Sequence, residues 1–160
     1  MNGFQGTLTV KDAVRRGKII TASMMGATVV YFVVFWLVLG KTQRIPVPFA
    51  SWVAAGVSVI LPALALQIKG AILKKMDPND ELPINLGRWL SGIIIFYVVN
   101  EGSALSVMVA AMVACEPKAL GWVIIPVALM VITIPKEHRL KTLLTQRGIA
   151  IPDELNVHRT

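Results

Sequence analysis

The sequence predicts an all-α integral membrane protein: a bundle of four transmembrane helices with both termini in the cytoplasm, followed by a short amphipathic C-terminal helix. The 160 residues are 55% hydrophobic and 16% charged, whereas soluble domains carry about 25% charged residues. Four apolar runs meet or approach the length of about 20 residues that crosses the hydrocarbon core of a bilayer. Lys and Arg are concentrated on one side of these runs, as the positive-inside rule expects.

The apolar runs define the boundaries of the predicted helices. The first two runs carry no charged residue, the third carries only Glu101, and the fourth is short for a bilayer crossing. The first run is longer than the core of a signal peptide and is therefore expected to remain in the mature protein. We predict a single transmembrane domain over residues 1–148 and a flexible tail over 149–160, with helices over 19–40, 45–68, 89–115 and 119–134.

The basic residues predict the orientation of the chain. Thirteen of the sixteen Lys and Arg residues lie before the first run, between the second and third, or after the fourth, and the other three are Lys41, Arg44 and Lys118. Basic residues are retained on the cytoplasmic side of a membrane. This distribution places both termini in the cytoplasm, and we expect the protein in the cytoplasmic (inner) membrane, with several crossings.

The residues after Pro135 form an amphipathic pattern. Leu140, Leu143 and Leu144 recur at the i, i+3, i+4 spacing of a helix among several basic residues, and Gly148 follows. We expect an amphipathic helix over 136–147 that lies on the membrane surface. It either anchors the fourth helix or forms a docking site for a partner or for anionic lipid.

The third run contains the polar pair Asn100 and Glu101 in the stretch YVVNEGSALSV. A carboxylate at the centre of a transmembrane helix costs about 2.5–3.5 kcal/mol on insertion scales. We therefore expect Glu101 to be protonated at rest and to face other helices instead of lipid. Polar groups expected at a similar depth are Tyr97, one turn earlier, Tyr31 in the first helix and Ser58 in the second.

Small residues recur along the same helix. Gly102, Ser106 and Ala110 are each four positions apart, and the first helix offers Gly26. Small residues at this spacing let helices approach closely in lipid, where no hydrophobic force drives their association. The third helix is thus expected at the centre of the bundle.

Reactive side chains are scarce. Cys115 is the only cysteine, and His138 and His158 are far apart in the polar C-terminal part of the chain. Neither a nucleophile–base pair nor a set of metal ligands is visible, so we expect no enzyme activity, no metal and no cofactor. Because the basic residues flank apolar runs, the expected partners are the lipid bilayer, other membrane subunits or a second copy of the chain, and not nucleic acid.

The overall plan, with NEGSAL in the third helix and basic cytoplasmic flanks, resembles small, functionally uncharacterised four-helix membrane proteins of bacteria. The resemblance extends over about residues 15–140 and implies an inner-membrane location but no activity. Two interpretations of Glu101 remain open. The chain is a non-enzymatic structural or accessory subunit, or an assembly factor, in which Glu101 is a buried polar contact between helices. Alternatively, it is a small proton-coupled transporter that uses Glu101 as carrier within a homo-oligomer.

Overall fold

The chain is helical throughout the part that the structure describes. This computed structural model describes residues 8–39 and 49–151; 84% of them are helical and none belongs to a strand. Three helices of this part, over Val10–Leu39, Ser51–Lys74 and Leu82–Val113, are long and apolar enough to cross a membrane. The predicted all-α class is confirmed. The elements are α1 (Val10–Leu39), α2 (Phe49–Lys74), α3 (Leu82–Val113), a 3₁₀ helix (Pro117–Val123), α4 (Ile124–Ile132) and α5 (Glu137–Gln146).

The first three helices extend further into their polar flanks than the prediction allowed. α1 begins at Val10 and not at 19, α2 ends at Lys74 and not at 68, and α3 begins at Leu82 and not at 89. Lys, Arg and Glu are good helix formers, so charge ends an apolar run without ending the helix. Position 40 and residues 45–48, which the prediction also assigned to helices, lie outside the described residues.

The start of α1 is fixed by a reciprocal cap. The Asp12 backbone N–H donates to the Thr9 hydroxyl over 3.2 Å, and the Thr9 hydroxyl donates to the Asp12 carboxylate over 2.7 Å. Side-chain acceptors of this kind satisfy N–H groups that the first turn of a helix leaves without partners. One face of this charged segment is buried, at Val10, Ala13, Val14, Gly17 and Thr21.

The fourth apolar run is broken, and the single helix predicted over 119–134 is not formed. The run begins as the 3₁₀ helix and becomes α4 only at Ile124. Pro126 has no N–H to donate to the Trp122 carbonyl and its ring crowds that carbonyl, which favours a helix start at this point. The run satisfies the length criterion for a membrane crossing only together with α5, from which it is bent by 70°.

Two groups of buried side chains show how the helices run. The first joins the N-terminal ends of α1 and α3 to the C-terminal end of α2 and to α5, and it contains Val10, Met76, Leu86, Trp89, Met130, Leu140 and Leu144. The second lies at the opposite ends and contains Leu39, Ala54, Val107, Ala111, Leu120 and Val123. α1 and α3 therefore run in one direction, and α2 and α4 in the other.

α3 contacts α1, α2, the 3₁₀ helix and α4, so it is the central helix, as expected. The residues that permit close approach are different from the predicted ones. A Cβ atom on Gly17 would lie 3.2 Å from Pro135 Cγ, and one on Gly92 would lie 3.6 Å from Lys69 Cγ. Glycine is needed at Gly17 because a side chain there would press on a rigid proline ring.

The helix predicted over 136–147 is present as α5, and its apolar residues pack on the rest of the protein. Leu140 and Leu144 are 1% and 0% exposed and belong to the first core group. Gly148, with φ of 70°, ends α5. The Gly148 N–H donates to the Thr145 carbonyl and the Ile149 N–H to the Leu144 carbonyl, each over 3.0 Å, which is the Schellman arrangement.

The residues directly after α5 are packed, although the prediction began a flexible tail at 149. Ile149 and Ile151 are both buried and contribute to the first core group. The apolar contact between the residue after the left-handed glycine and the last turn of the helix is a regular part of a Schellman motif. The rest of the predicted tail, 152–160, lies outside the described residues.

Candidate functional site

Of the polar pair in α3, Asn100 is the residue that the structure buries. Asn100 is fully buried, and its Nδ2 donates to the Phe96 carbonyl over 2.7 Å. Its Oδ1 is buried without a hydrogen-bond partner among the described residues. Neighbouring positions on an α-helix point about 100° apart, so two adjacent residues do not share the centre of one buried face. The neutral amide occupies the interior and the acid does not.

Glu101 lies at the edge of the buried face of α3 and is partly exposed on the chain surface. The other helices of the chain thus cover Glu101 only in part, and the expectation that it faces helices instead of lipid stays a prediction. No described residue donates a hydrogen bond to its carboxyl group. Glu101 is thus an ionisable residue in the C-terminal half of an apolar helix, and part of its side chain is not covered by the described chain.

Tyr97 joins α3 to the end of α4. Its hydroxyl donates to the Met130 carbonyl over 2.8 Å and lies 3.4 Å from the Thr133 hydroxyl oxygen. α4 ends at Ile132, so the Met130 carbonyl is one of the four that a helix C-terminus leaves without an N–H donor. Tyr97 is fully buried, and its hydroxyl donates a hydrogen bond to the Met130 carbonyl and not to the carboxyl group of Glu101.

Replacing Tyr97 by phenylalanine tests this contact. The ring is retained, but the Met130 carbonyl loses its shorter hydrogen bond and keeps only the one from the Thr133 hydroxyl, 3.3 Å away. Because a hydrogen bond contributes about 0.5–1.5 kcal/mol, we expect the free energy of unfolding to fall by about 1 kcal/mol in a denaturant titration of the protein in mixed micelles. Thr142→Val is the matched control, because the exposed Thr142 hydroxyl donates only within its own helix. An equal loss in both variants would contradict the assigned role of Tyr97.

Ser58 is fully buried, and its hydroxyl donates to the Ala55 carbonyl over 2.8 Å within α2. The polar link from α2 to α3 is instead made by Ser103, which donates to the Val57 carbonyl over 3.1 Å. Pro62 lies one turn later in α2 and weakens the helical hydrogen bonding at this level. The sequence analysis placed Ser58 at this level but did not single out Ser103 as a donor.

The remaining predicted residues lie on the outside of the chain. Tyr31 is 44% exposed, so it does not join Tyr97, Asn100 and Ser58 in the interior. Ser106 and Gly26 are exposed, and Gly102 and Ala110 are partly exposed. A Cβ atom added at Gly102 or Gly26 would meet nothing within 4 Å. The space beside Gly26 and Gly102 and the exposure of Ser106 show that no other described helix of the chain packs closely on these three residues.

The end of the molecule that contains the second core group has another acid, Glu116, which the sequence analysis did not single out. The Ser51 hydroxyl donates to Glu116 Oε1 over 2.8 Å. Ser51 lies in the first turn of α2, where the positive end of the helix dipole favours a carboxylate. The contact ties the connection between α3 and the 3₁₀ helix to the start of α2.

Metal-binding residues do not cluster in the described part of the chain: within 8–39 and 49–151 no three His, Cys, Asp or Glu residues come together. Comparison of the chain with protein-family models, curated proteins and solved structures finds no match in any of the three. The resemblance to small four-helix bacterial membrane proteins stays an expectation.

Proposed function

We propose that this chain is a non-enzymatic structural or accessory subunit of a membrane assembly, and that Glu101 is its polar contact with a neighbouring chain. The main support for the proposal is that Glu101, an ionisable residue within the apolar helix α3, is partly exposed on the surface of the chain. In this arrangement the four apolar segments form a transmembrane bundle with both termini in the cytoplasm. The simplest neighbour is a second copy of the chain.

The distribution of charge supports the membrane orientation. The first core group brings together the ends of the helices that are flanked by thirteen of the sixteen Lys and Arg residues. Trp36, Trp52 and Trp122 lie near the opposite ends and are exposed. Basic residues at one end and exposed tryptophans at the other suit a protein that spans a bilayer with the basic end in the cytoplasm.

The surroundings of Glu101 support a lateral contact. A carboxyl group facing lipid is unfavourable even when it is protonated, because lipid offers it no hydrogen-bond partner. Next to it, Gly102 and Ser106 form an uncovered strip of small residues on which another helix can approach closely. A second copy related by two-fold symmetry would place the same acid and the same strip on both sides of the contact.

A proton-coupled transporter is the second candidate. The observation in its favour is that no described residue of the chain donates a hydrogen bond to the Glu101 carboxyl group, which leaves it free to exchange a proton. Glu101→Gln separates the two candidates. Glutamine keeps the hydrogen bonding of a protonated acid but does not titrate, so a structural contact survives the change and a carrier does not.

Association is tested most sharply at Gly102. We expect Gly102→Leu to raise the dissociation constant of the assembly by at least about tenfold, because interhelical contacts at small residues do not tolerate bulk. Gly56→Leu in α2 is the matched control, since a Cβ atom there also meets nothing within 4 Å. The measurement is energy transfer between labelled chains in bilayers of increasing lipid-to-protein ratio.

Glu101→Gln is expected to associate as the unchanged chain does, and Glu101→Leu more weakly by about 3- to 15-fold, the range of an interhelical hydrogen bond in a membrane. Equal association of Gly102→Leu and Gly56→Leu would contradict the proposed contact. Unchanged association of Glu101→Gln, together with loss of proton uptake by protein-containing vesicles, would favour the transporter.

A further inference from the structure

A cavity of about 460 Å³ opens at the basic end of the molecule, where α2, α3, α4 and α5 meet. This volume lies within the range of about 300–1,000 Å³ that is usual for small-molecule sites. The apolar part of its wall includes Leu73, Trp89, Ile93 and Pro135, and its charged part includes Lys69, Lys136 and Arg139. The cavity lining contains no Asp or Glu.

Lys69 brings a positive charge to the inner part of this cavity. Its side chain is half-buried, and its ammonium nitrogen lies 4.8 Å from the centre of the buried Phe96 ring. A cation over an aromatic face is attracted by the negative charge of the ring face. The ring therefore holds the ammonium group against the protein and not in open water.

The second charge of the cavity, Arg139, increases the local positive potential. It lies close enough to Lys69 for their like charges to repel. One guanidinium N–H donates to the Ile132 carbonyl over 3.2 Å, at the end of α4. No carboxylate in residues 8–39 or 49–151 forms an ion pair with Lys69, Lys136 or Arg139.

The like charges of half-buried Lys69 and exposed Arg139 repel each other, and an anionic ligand between them would be attracted to both. The ligand must also contact the apolar wall of the cavity. A small hydrated anion does not do so, because it makes no apolar contact with Leu73, Trp89 and Ile93. A molecule with an anionic head and an attached hydrocarbon chain satisfies both parts of the cavity. At the cytoplasmic surface of a membrane, anionic phospholipid is the compound that has this chemistry.

We propose that this cavity binds the headgroup of one anionic phospholipid, with its phosphate between Lys69 and Arg139 and an acyl chain against Trp89 and Ile93. The inference rests on the membrane location in the proposed function, but not on the contact at Glu101. The Gly102→Leu variant, which we expect to be monomeric, should therefore bind the lipid as the unchanged chain does. Failure of the proposed contact at Glu101 and failure of the proposed lipid site can thus be distinguished.

The test is binding of single lipids to the purified protein in a neutral detergent at physiological salt, measured by native mass spectrometry. We expect one phosphatidylglycerol to bind more tightly than phosphatidylcholine with the same acyl chains. Lys69→Gln combined with Arg139→Gln should weaken phosphatidylglycerol binding by about 30-fold, because each basic residue contributes a factor of about five. If the double variant does not fold, Arg139→Gln alone, at an exposed side chain, should weaken binding by about fivefold.

The control removes the same charge outside the cavity. Lys11 and Lys75 are exposed at the same end and do not line it, so Lys11→Gln with Lys75→Gln should change binding by less than about twofold at physiological salt. Equal binding of the two lipids, or an equal loss in the control, would overturn the proposal. Binding of soluble glycerol phosphate as tight as that of phosphatidylglycerol would also overturn it, in favour of a site for a free phosphate compound.

Discussion

Replacing Leu144 by aspartate is expected to release α5 from the rest of the protein. Leu144 is 0% exposed in the first core group, and α5 contacts α1. Removing a buried leucine costs about 2–5 kcal/mol, and a carboxylate in its place also has to be desolvated. We expect the docking of α5 to weaken by at least about 3 kcal/mol, seen as rapid amide exchange and proteolysis after Pro135.

Thr145→Asp is the matched control for this experiment, because Thr145 is exposed and directly follows Leu144 in the chain. The same charge on the outer face should leave exchange in α5 unchanged. If Leu144→Asp also left α5 protected, the helix would not be held by its apolar face. The experiment therefore tests whether the buried apolar face of α5 holds this helix in place.

Replacing Asn85 by alanine is expected to open the connection between α2 and α3. The fully buried Asn85 side chain accepts a hydrogen bond from the Asp77 N–H over 3.0 Å. Its Nδ2 donates to the Asp77 carbonyl over 2.8 Å and to the Asp80 carbonyl over 3.3 Å. Each backbone group left without a partner costs about 1–3 kcal/mol if it stays buried, so we expect a loss of about 3 kcal/mol.

The loss should appear in the denaturant titration and as faster exchange of the Asp77 amide. Asn79→Ala is the control, because exposed Asn79 donates its side-chain hydrogen bond only to the nearby Asp77 carboxylate. That variant should change the free energy of unfolding by less than about 0.5 kcal/mol. Equal effects of the two alanine substitutions would contradict the assignment of Asn85 as the residue that holds this connection.

The helices were predictable because apolar runs, charged flanks and Gly148 carry direct signals. The prediction ended each run at its charges, although the spacing of Val10, Ala13, Val14 and Gly17 shows that α1 continues as an amphipathic helix. The break before Ile124 was less visible, since Pro126 is also compatible with a kinked continuous helix. The docking of α5 depends on a complementary apolar surface on α1, which no local pattern reveals.

The candidate site was only partly predictable for a different reason. The sequence identifies Asn100 and Glu101 as the polar residues of an apolar helix, but lipid-facing and buried neighbours are equally apolar, so hydrophobic periodicity does not indicate which of the two faces inward. The structure buries Asn100 and Tyr97 and leaves Glu101 partly exposed. The cavity formed by Lys69 and Arg139 joins residues seventy positions apart and depends on the bend between α4 and α5.

The proposal that α3 meets a neighbouring chain along its outer strip is tested most directly by crosslinking in the membrane. Ser106→Cys, made in a Cys115→Ser background, places a thiol on the exposed strip, and Ser23→Cys places one on an exposed position of α1. Mild oxidation of native membranes should convert Ser106→Cys into a disulfide-linked dimer and leave Ser23→Cys as a monomer. A monomeric Ser106→Cys chain under conditions that crosslink Ser23→Cys would contradict the account.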